Sequence, residues 1–260
     1  MKSVSSLWYG RELREMELYC IKSYINRGYI FKLYIYDSYL YKNSLPSDIV
    51  VADAGDILPY SEVYLHDNSI CPFADYWRYN MMYKTGETWT DMDMLMINDL
   101  PDDDIIISSE YMNKTGAFKC VDDYRPNIGL LRFPVGDPFL KHLIEKCRIS
   151  KVNHNISNMI IFRKLLKKYD YEKYVSKPSA YCPVGWQFAT HLYKTPYHKL
   201  SSKFGVDKPN LFEILENSYC VHLWNNIHNN KSIDSTQYVD NCLYSTLLLA
   251  KGLKQNEVLK

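Results

Sequence analysis

Residues 73–95 read "FADYWRYNMMYKTGETWTDMDML", and this stretch decides the fold. Its first half, 73–84, is apolar nearly all round and has the length of a helix, which predicts a buried helix. The strand-like run 89–97 follows at once. Charges inside a buried segment need partners, because an unpaired charge is costly away from water. The charged residues to be explained are Asp75, Arg78, Asp91 and Asp93.

The residues before this stretch predict strands around a helix. Runs 3–9, 29–36 and 47–54 are apolar and strand-like. A helix is predicted over 11–28, and Gly28 is placed to end it. One face of this helix would carry its apolar residues: Leu13, Met16, Cys20, Ile21, Tyr24 and Ile25. This β-α-β-β order favours a mostly parallel sheet with helices on its faces.

The residues after it predict more strands and then a helical second half. Strand-like runs lie at 104–108, 117–121 and 128–133. Helical patterns follow at 137–148, 156–169 and 184–194, with a late strand at 218–224 and a terminal helix near 236–249. The predicted fold class is therefore α/β, with a Rossmann-type, mostly parallel central sheet flanked by helices and a helical C-terminal half.

Composition narrows the possible functions. The chain has 260 residues, 47% of them hydrophobic, with 31 basic and 30 acidic residues and a net charge of +1. A balanced charge argues against nucleic acid as a partner. We see no secretory signal and no apolar run long enough to span a membrane. Seven cysteines without a CxxC pair are typical of a reducing compartment. We therefore expect a cytoplasmic protein, and a peripheral contact with a membrane stays open.

Asp91 and Asp93 are the first candidates for chemistry. If this run is a strand, its alternation places both carboxylates on one face, a few ångströms apart. Crowded carboxylates repel each other, so one takes a proton or a cation neutralises them. Oxygen ligands of this kind suit Mg²⁺ or Mn²⁺, which commonly bridge to a substrate phosphate. An isolated D-x-D is more often a solvated strand end. The nearby Asp75 and Arg78, which would share a helix face, change that balance.

The order Asp-x-x-Arg, a Gly-containing turn and Asp-x-Asp-x-Leu resembles the DXD sugar-binding region of retaining glycosyltransferases. That family includes initiating mannosyltransferases and globotriaosylceramide synthases, and more distantly the glucosylating bacterial toxins. Its members resemble one another as S-D-x-x-R followed by G-G-x-Y-x-D-x-D, and the counterparts here are "ADYWR" and "TGETWTDMD". Glu87 stands at the second glycine position, next to Gly86. We expect this departure to act on the turn or on the sugar pocket.

Two further segments are similar to the same family. "LWYG" (7–10) resembles its W-x-G segment, and "YCVHLWNN" (219–226) resembles its H-x-W-N segment. By resemblance, Asp75 and Arg78 would hold the donor's sugar and diphosphate. The metal would be bound by Asp91, Asp93 and His222, and Asp91 would also touch ribose or sugar. Trp8 would contact the nucleobase, Tyr9 would be a further substrate-binding residue, and Trp224 and Asn225 would reach the diphosphate. Arg78, Asp91 and Asp93 would be catalytic. Asn127 would lie near the donor sugar, or else is a turn residue after Pro126.

The resemblance implies a single GT-A-like domain over 1–260, with a nucleotide-sugar-binding part at about 1–135 and an acceptor-side helical part at about 136–260. It implies a Mn²⁺- or Mg²⁺-dependent enzyme that moves a hexose from a nucleoside diphosphate sugar to a glycan or glycolipid hydroxyl, with retention. We favour UDP over GDP. The alternatives are a non-catalytic sugar-nucleotide-binding protein and, further behind, a DxD phosphatase. The phosphatase motif needs a strongly apolar strand and then Thr or Val at its fourth place, which "GETWTDMDML" lacks.

Overall fold

The computed structural model describes most of the chain as a mixed α/β protein. The described residues are 2–10, 12–36, 45–112, 124–153, 158–199, 211–225 and 237–253. The strands among them are β1 (Ser3–Trp8), β2 (Ile30–Ile35), β3 (Val50–Asp53), β4 (Thr88–Thr90), β5 (Met94–Met96), β6 (Ile106–Tyr111), β7 (Tyr124–Arg132) and β8 (Cys220–His222). The helices are α1 (Glu15–Ile25), α2 (Cys71–Thr85), α3 (Pro138–Asn153), α4 (Asn158–Lys168), α5 (Pro178–Tyr181), α6 (Ala189–Lys194), α7 (Leu211–Asn217) and α8 (Leu243–Ala250).

A six-stranded sheet of order β3-β2-β1-β4-β7-β6 forms the centre of the fold. Strands β1 to β4 pair in parallel, whereas β7 runs antiparallel to both of its neighbours. The predicted α/β class with a mostly parallel sheet is therefore confirmed. The strands β5 and β8 form a separate antiparallel pair, which the sequence did not predict.

Two hydrophobic clusters lie on opposite faces of the sheet. Alternate residues of one strand serve the two faces, so that Leu130 belongs to one cluster and Leu131 to the other. The helix α1 and the elements of the second half from α5 onward pack in the first cluster. The helices α2, α3 and α4 pack in the second. The sheet is thus covered on both faces, as parallel strands require.

The helix α1 is shorter than predicted and buries the expected stripe. It begins at Glu15 because Arg14 has extended dihedral angles and acts as its N-cap, while the Glu17 side chain accepts a hydrogen bond from the Arg14 backbone N–H. Met16, Cys20, Ile21 and Tyr24 are buried, and the left-handed Gly28 (φ +78°) lies in the turn to β2.

The predicted strand over 89–97 is wrong. β4 ends at Thr90, the Asp91 N–H donates to the Gly129 carbonyl, and the Met94 N–H turns back to the Asp91 carbonyl. The chain then enters β5, whose partner is β8 instead of the central sheet. Asp91 to Asp93 therefore form a turn between two sheets, so strand alternation cannot place their side chains.

The second half is helical, as predicted, with different boundaries. The run 184–194 contains a 3₁₀ turn at Trp186–Phe188 and then α6, and the terminal helix begins at Leu243. The predicted strand 117–121 lies outside the described residues. Among the described residues, none of the helices combines the length and apolar character needed to cross a membrane.

Gly86 ends α2 in the left-handed conformation, with φ +68°. A Cβ atom there would lie 2.7 Å from Cγ2 of Val135, so a side chain meets strain and a clash together. We predict that Gly86→Ala lowers the free energy of unfolding by more than the ~1–2 kcal/mol that a left-handed backbone costs alone. Gly136→Ala is the matched control, because Gly136 has φ +71° and open space around it. Equal losses in urea denaturation of the two variants would contradict the clash.

Candidate active site

One cleft of about 650 Å³ opens where β1 ends and where the turn after β4 begins. The residues predicted for the site all line this cleft: Trp8, Tyr9, Asp75, Arg78, Asp91, Asp93, Asn127, His222, Trp224 and Asn225. Segments from both halves of the chain therefore converge here. The roles predicted for the individual residues stay predictions.

Asp91, Asp93 and His222 form a group that could hold a metal ion. One ligand atom from each residue lies within 4.8 Å of the other two. The group assembles because His222 pairs with Met94 across the β5–β8 ladder and the Leu223 N–H donates to the Asp93 carbonyl. Two carboxylates and an imidazole are a donor set that fits a divalent cation.

The ion pair between Asp93 and His222 shifts the pKa of both groups. Oδ1 of Asp93 lies 3.3 Å from Nε2 of His222. Burial alone raises the pKa of Asp93, but His222 and the Asn225 backbone N–H overcome this and hold it below its usual value. Burial lowers the pKa of His222, yet the Asp93 carboxylate holds it well above its usual value. In the metal-free site, the Asp93 carboxylate therefore favours the protonated form of His222.

The pKa values of two other carboxylates in the cleft, Asp91 and Asp75, are shifted in the direction opposite to that of Asp93. Burial raises the pKa of Asp91 against the attraction of Arg78, and repulsion from Asp93 raises it further. Burial raises the pKa of Asp75 to about 6, again against Arg78 and with a contribution from Asp91. Added positive charge would relieve this crowding.

Arg78 is the partner of two of the charges in residues 73–95, those of Asp75 and Asp91. It donates from Nη1 to Oδ1 of Asp91 at 2.9 Å and to the Ile128 carbonyl at 2.8 Å, and its Nη2 lies 3.1 Å from Oδ1 of Asp75. The guanidinium also lies over the Trp89 ring, 4.4 Å from its centroid. Arg78 thus forms ion pairs with Asp75 and Asp91, and most of its N–H groups already have acceptors before any ligand binds.

Asp91 is fixed through one of its two oxygens. The Trp89 indole N–H donates to Oδ1 at 2.8 Å, the same oxygen that Arg78 binds. Neither bond uses Oδ2, which is therefore the oxygen left to act as a ligand.

Trp224 and Asn225 contact His222 and Asp93, two of the three residues in the metal group (Asp91, Asp93 and His222). The Trp224 ring stacks on His222 at 3.9 Å, and its indole N–H donates to the Val184 carbonyl at 2.8 Å. Trp224 is left-handed (φ +58°), an uncommon conformation for a bulky residue, and the Asn225 N–H that follows donates to Oδ2 of Asp93 at 2.7 Å. The Asn225 side chain contacts Glu17 of α1 and Arg14, the N-cap of that helix. Binding of the diphosphate by these residues stays a prediction.

Asn127 is not a turn residue, so that alternative is wrong. It lies within β7, where its Oδ1 accepts the Gly129 N–H at 2.7 Å and its Nδ2 donates to Oε2 of Glu110 at 3.1 Å. These two contacts fix the orientation of the buried amide. A position near the donor sugar stays a prediction.

Trp8 and Tyr9 line the cleft where β1 ends. The Tyr9 ring contacts Tyr36 with 6.5 Å between centroids, and its hydroxyl lies 3.5 Å from that of Tyr60. Tyr9, Tyr36 and Tyr60 therefore form a group of aromatic rings, and Tyr9 is next to Trp8 in the sequence. Such a surface suits the flat face of a nucleobase.

The Glu87 carboxylate is bound by side chains of the central sheet. Its carboxylate accepts hydrogen bonds from Ser5 Oγ (2.6 Å), Lys32 Nζ (2.6 Å) and the Tyr34 hydroxyl (3.1 Å), all from β1 and β2. It is not among the residues that line the cleft. Gly86 takes the left-handed conformation in this turn. The contacts of Glu87 favour a structural role, and its expected effect on the turn or on the sugar pocket stays a prediction.

Several residues that line the cleft were missed from the sequence, among them Ser6, Trp186, Glu110 and Arg125. Ser6 and Trp186 each have a buried polar atom for which the described structure shows no hydrogen-bond partner, Oγ and Nε1 respectively. Buried groups of this kind call for a ligand or water. Glu110 and Arg125 also line the cleft. A charge in the apolar run "IIISSEY" (105–111) was the signal that could have identified Glu110.

Comparison with known proteins identifies the enzyme class. Residues 139–250 match the family model described as "Alpha 1,4-glycosyltransferase conserved region". The protein is a glycosyltransferase. The matched region of this glycosyltransferase includes His222 and the H-x-W-N segment, whereas Asp91 and Asp93 precede it. The predicted enzyme class is confirmed.

Two further comparisons, with solved structures and with curated proteins, add little to the assignment of this glycosyltransferase. A solved structure titled "PaToxG Glycosyltransferase" is similar to it, with a TM-score of 0.48 and 10% sequence identity, over 65% of this chain and 69% of that chain. A search of curated proteins gave no match.

Because Glu87 has a structural position, we predict that Glu87→Ala lowers the free energy of unfolding by about 1.5–3 kcal/mol and leaves glycosyl transfer unchanged. The loss arises since Lys32, Ser5 and Tyr34 would keep their donors without an acceptor. Glu145→Ala, at an exposed position of α3, is the control and should change stability by less than ~0.5 kcal/mol. Normal stability with altered donor preference would contradict the structural role.

Proposed function

We propose that this glycosyltransferase moves a hexose from a UDP-sugar to a hydroxyl of a glycan or glycolipid, with a divalent cation at Asp91, Asp93 and His222. The observation that carries the proposal is their convergence in one cleft that also contains Trp8. A nucleoside diphosphate sugar needs an aromatic surface for its base and positive charge for its diphosphate. The cleft offers both features, provided that a cation is bound.

The donor set supports Mn²⁺ over Mg²⁺. Mg²⁺ demands near-ideal octahedral oxygen ligation, whereas one of the three ligand atoms here is the imidazole nitrogen of His222. A bound cation would neutralise the negative charge that develops on the leaving diphosphate. Arg78 contributes by fixing Asp91, and the Asn225 N–H contributes by fixing Asp93.

The buried polar atoms support a ligand in the cleft. Ser6 Oγ lies near the end of β1, close in sequence to Trp8, and Trp186 Nε1 comes from the second half of the chain. A sugar nucleotide with many hydroxyl and phosphate oxygens could satisfy both. An apolar ligand would leave both atoms without a partner.

We propose transfer with retention, through attack of the acceptor hydroxyl on the same face that the diphosphate leaves. The described carboxylates of the cleft are each paired with a positive group: Asp75 and Asp91 with Arg78, Asp93 with His222, and Glu110 with Arg125. Pairing lowers the reactivity of a carboxylate as a nucleophile, which disfavours a covalent intermediate. A β-linked product from an α-linked donor would overturn retention.

Asp93→Asn tests the metal assignment. We predict that metal-dependent release of UDP falls about 100-fold or more, since a charged ligand is lost while the amide oxygen can still accept the Asn225 N–H. Asp103→Asn, an exposed carboxylate outside the cleft, should behave as wild type. Circular dichroism checks that both variants fold. Near-normal turnover by Asp93→Asn would contradict the assignment, and UDP-sugar binding without turnover in the wild type would indicate a non-catalytic protein.

Cation binding should depend on pH in a defined direction. The pKa of His222 is raised in the metal-free site, so the cation must displace its proton, and binding is weakened as the pH falls. We predict that the Mn²⁺ affinity rises about tenfold per pH unit below that pKa, with release of about one proton at pH 7. Calorimetry in two buffers of different ionisation enthalpy measures the released proton. Binding without proton release would show that His222 is not a ligand.

A further inference from the structure

A second polar cluster lies on the wall of the cleft that β6 and β7 form. Glu110 and Arg125 are opposite each other in this antiparallel pair, and Asn127 follows two residues later on β7. Since β4 lies between β1 and β7 in the sheet, the turn of Asp91 and Asp93 separates this wall from Trp8. The wall therefore lies beyond the metal group as seen from the proposed nucleobase end.

Glu110 is the centre of this cluster. Its residue is only 6% exposed, and its carboxylate accepts from Arg125 Nε at 2.6 Å, from Asn127 Nδ2 at 3.1 Å and from Arg163 Nη2 at 3.4 Å. A carboxylate has about four lone-pair positions, so these donors leave room for one more. Since Glu110 lines the cleft, the hydroxyl of a ligand can donate this fourth hydrogen bond.

Arg125 and Asn127 offer the complementary donors. Arg125 uses Nε for Glu110, its side chain is 39% exposed, and its two Nη groups take part in no hydrogen bond within the described structure. Asn127 gives one Nδ2 hydrogen to Glu110 and keeps the other. Glu110 thus orients both donors beside its own acceptor oxygens.

This combination fits one ligand chemistry. Neighbouring hydroxyls of a sugar ring can each donate to a carboxylate and accept from a guanidinium or an amide. A diphosphate would be repelled by Glu110, and a flat base finds no aromatic ring in the cluster. We propose that Glu110, Arg125 and Asn127 form a subsite for the vicinal hydroxyls of a hexose, a claim that rests on the proposed function. The hexose is either the one transferred or the one that accepts it.

Calorimetry with UDP and with UDP-hexoses, in the presence of Mn²⁺, tests the subsite. The probes are UDP, UDP-glucose, UDP-galactose and UDP-N-acetylglucosamine, and the variants are Glu110→Gln and Arg125→Ala. If the transferred hexose binds here, the ratio of the Kd for the preferred UDP-hexose to the Kd for UDP rises about tenfold or more in both variants, as expected for bonds to charged groups. The affinity for UDP itself stays unchanged.

Arg163→Ala is the matched control, because Arg163 contacts Glu110 but does not line the cleft. A cluster that only stabilises the fold would make Arg163→Ala and Arg125→Ala alike in both thermal unfolding and ligand binding. A sugar subsite predicts that the Kd ratio changes in Arg125→Ala alone. Arg125 is partly exposed, so its variant keeps the test valid if Glu110→Gln does not fold.

Binding of the accepting hexose at this subsite would give a different result in the same experiment. If the accepting hexose binds here, both variants keep wild-type Kd values and release UDP to water normally, but lose transfer to a panel of methyl hexosides. Folded variants that keep both the Kd ratio and transfer overturn the subsite alone. Wild-type protein that binds neither UDP nor any UDP-hexose overturns the proposed function, and the subsite with it.

Discussion

The buried ion pair between Arg78 and Asp91 is the interaction on which the site depends. Two charges removed from water are tolerated only when each has a close partner and further hydrogen bonds. Here Asp75, the Ile128 carbonyl and the Trp89 ring complete that environment. Loss of Arg78 would leave carboxylates facing each other without a counter-charge. The pair therefore joins α2, β4 and β7, and the same contacts that stabilise the fold also orient a metal ligand.

The order of the early elements could be predicted because local patterns decide them. Apolar spacing over α1 and alternation over β1 and β2 are visible in the sequence, and each element matched within a few residues. The turn at Asp91–Asp93 could not, because no Gly or Pro marks it and Met92, Met94 and Leu95 continue an apolar run. Its position is set by β8, a partner far away along the chain.

The sequence predicted which residues line the cleft better than it predicted their contacts. The residues taken from motifs share one cleft, although the reason given for Asp91 and Asp93, strand alternation, was wrong. The contacts of Trp224 and Asn225 could not be foreseen, since they depend on a left-handed backbone and on α1. Glu110 and Arg125 escaped notice because only the register of β6 and β7 brings them together. Motifs therefore identified the neighbourhood, and tertiary pairing determined what each side chain does there.

The joint between the central sheet and the β5–β8 ladder has a consequence for folding. Asp91 and Asp93 come from the first half of the chain and His222 from the second, so an ion bound by all three acts as a cross-link between distant segments. Cross-links that close long loops remove conformational freedom from the unfolded chain. An ion at this joint would thus tie β8 to the turn after β4. The strand β8 would then be harder to separate from that turn when the ion is present.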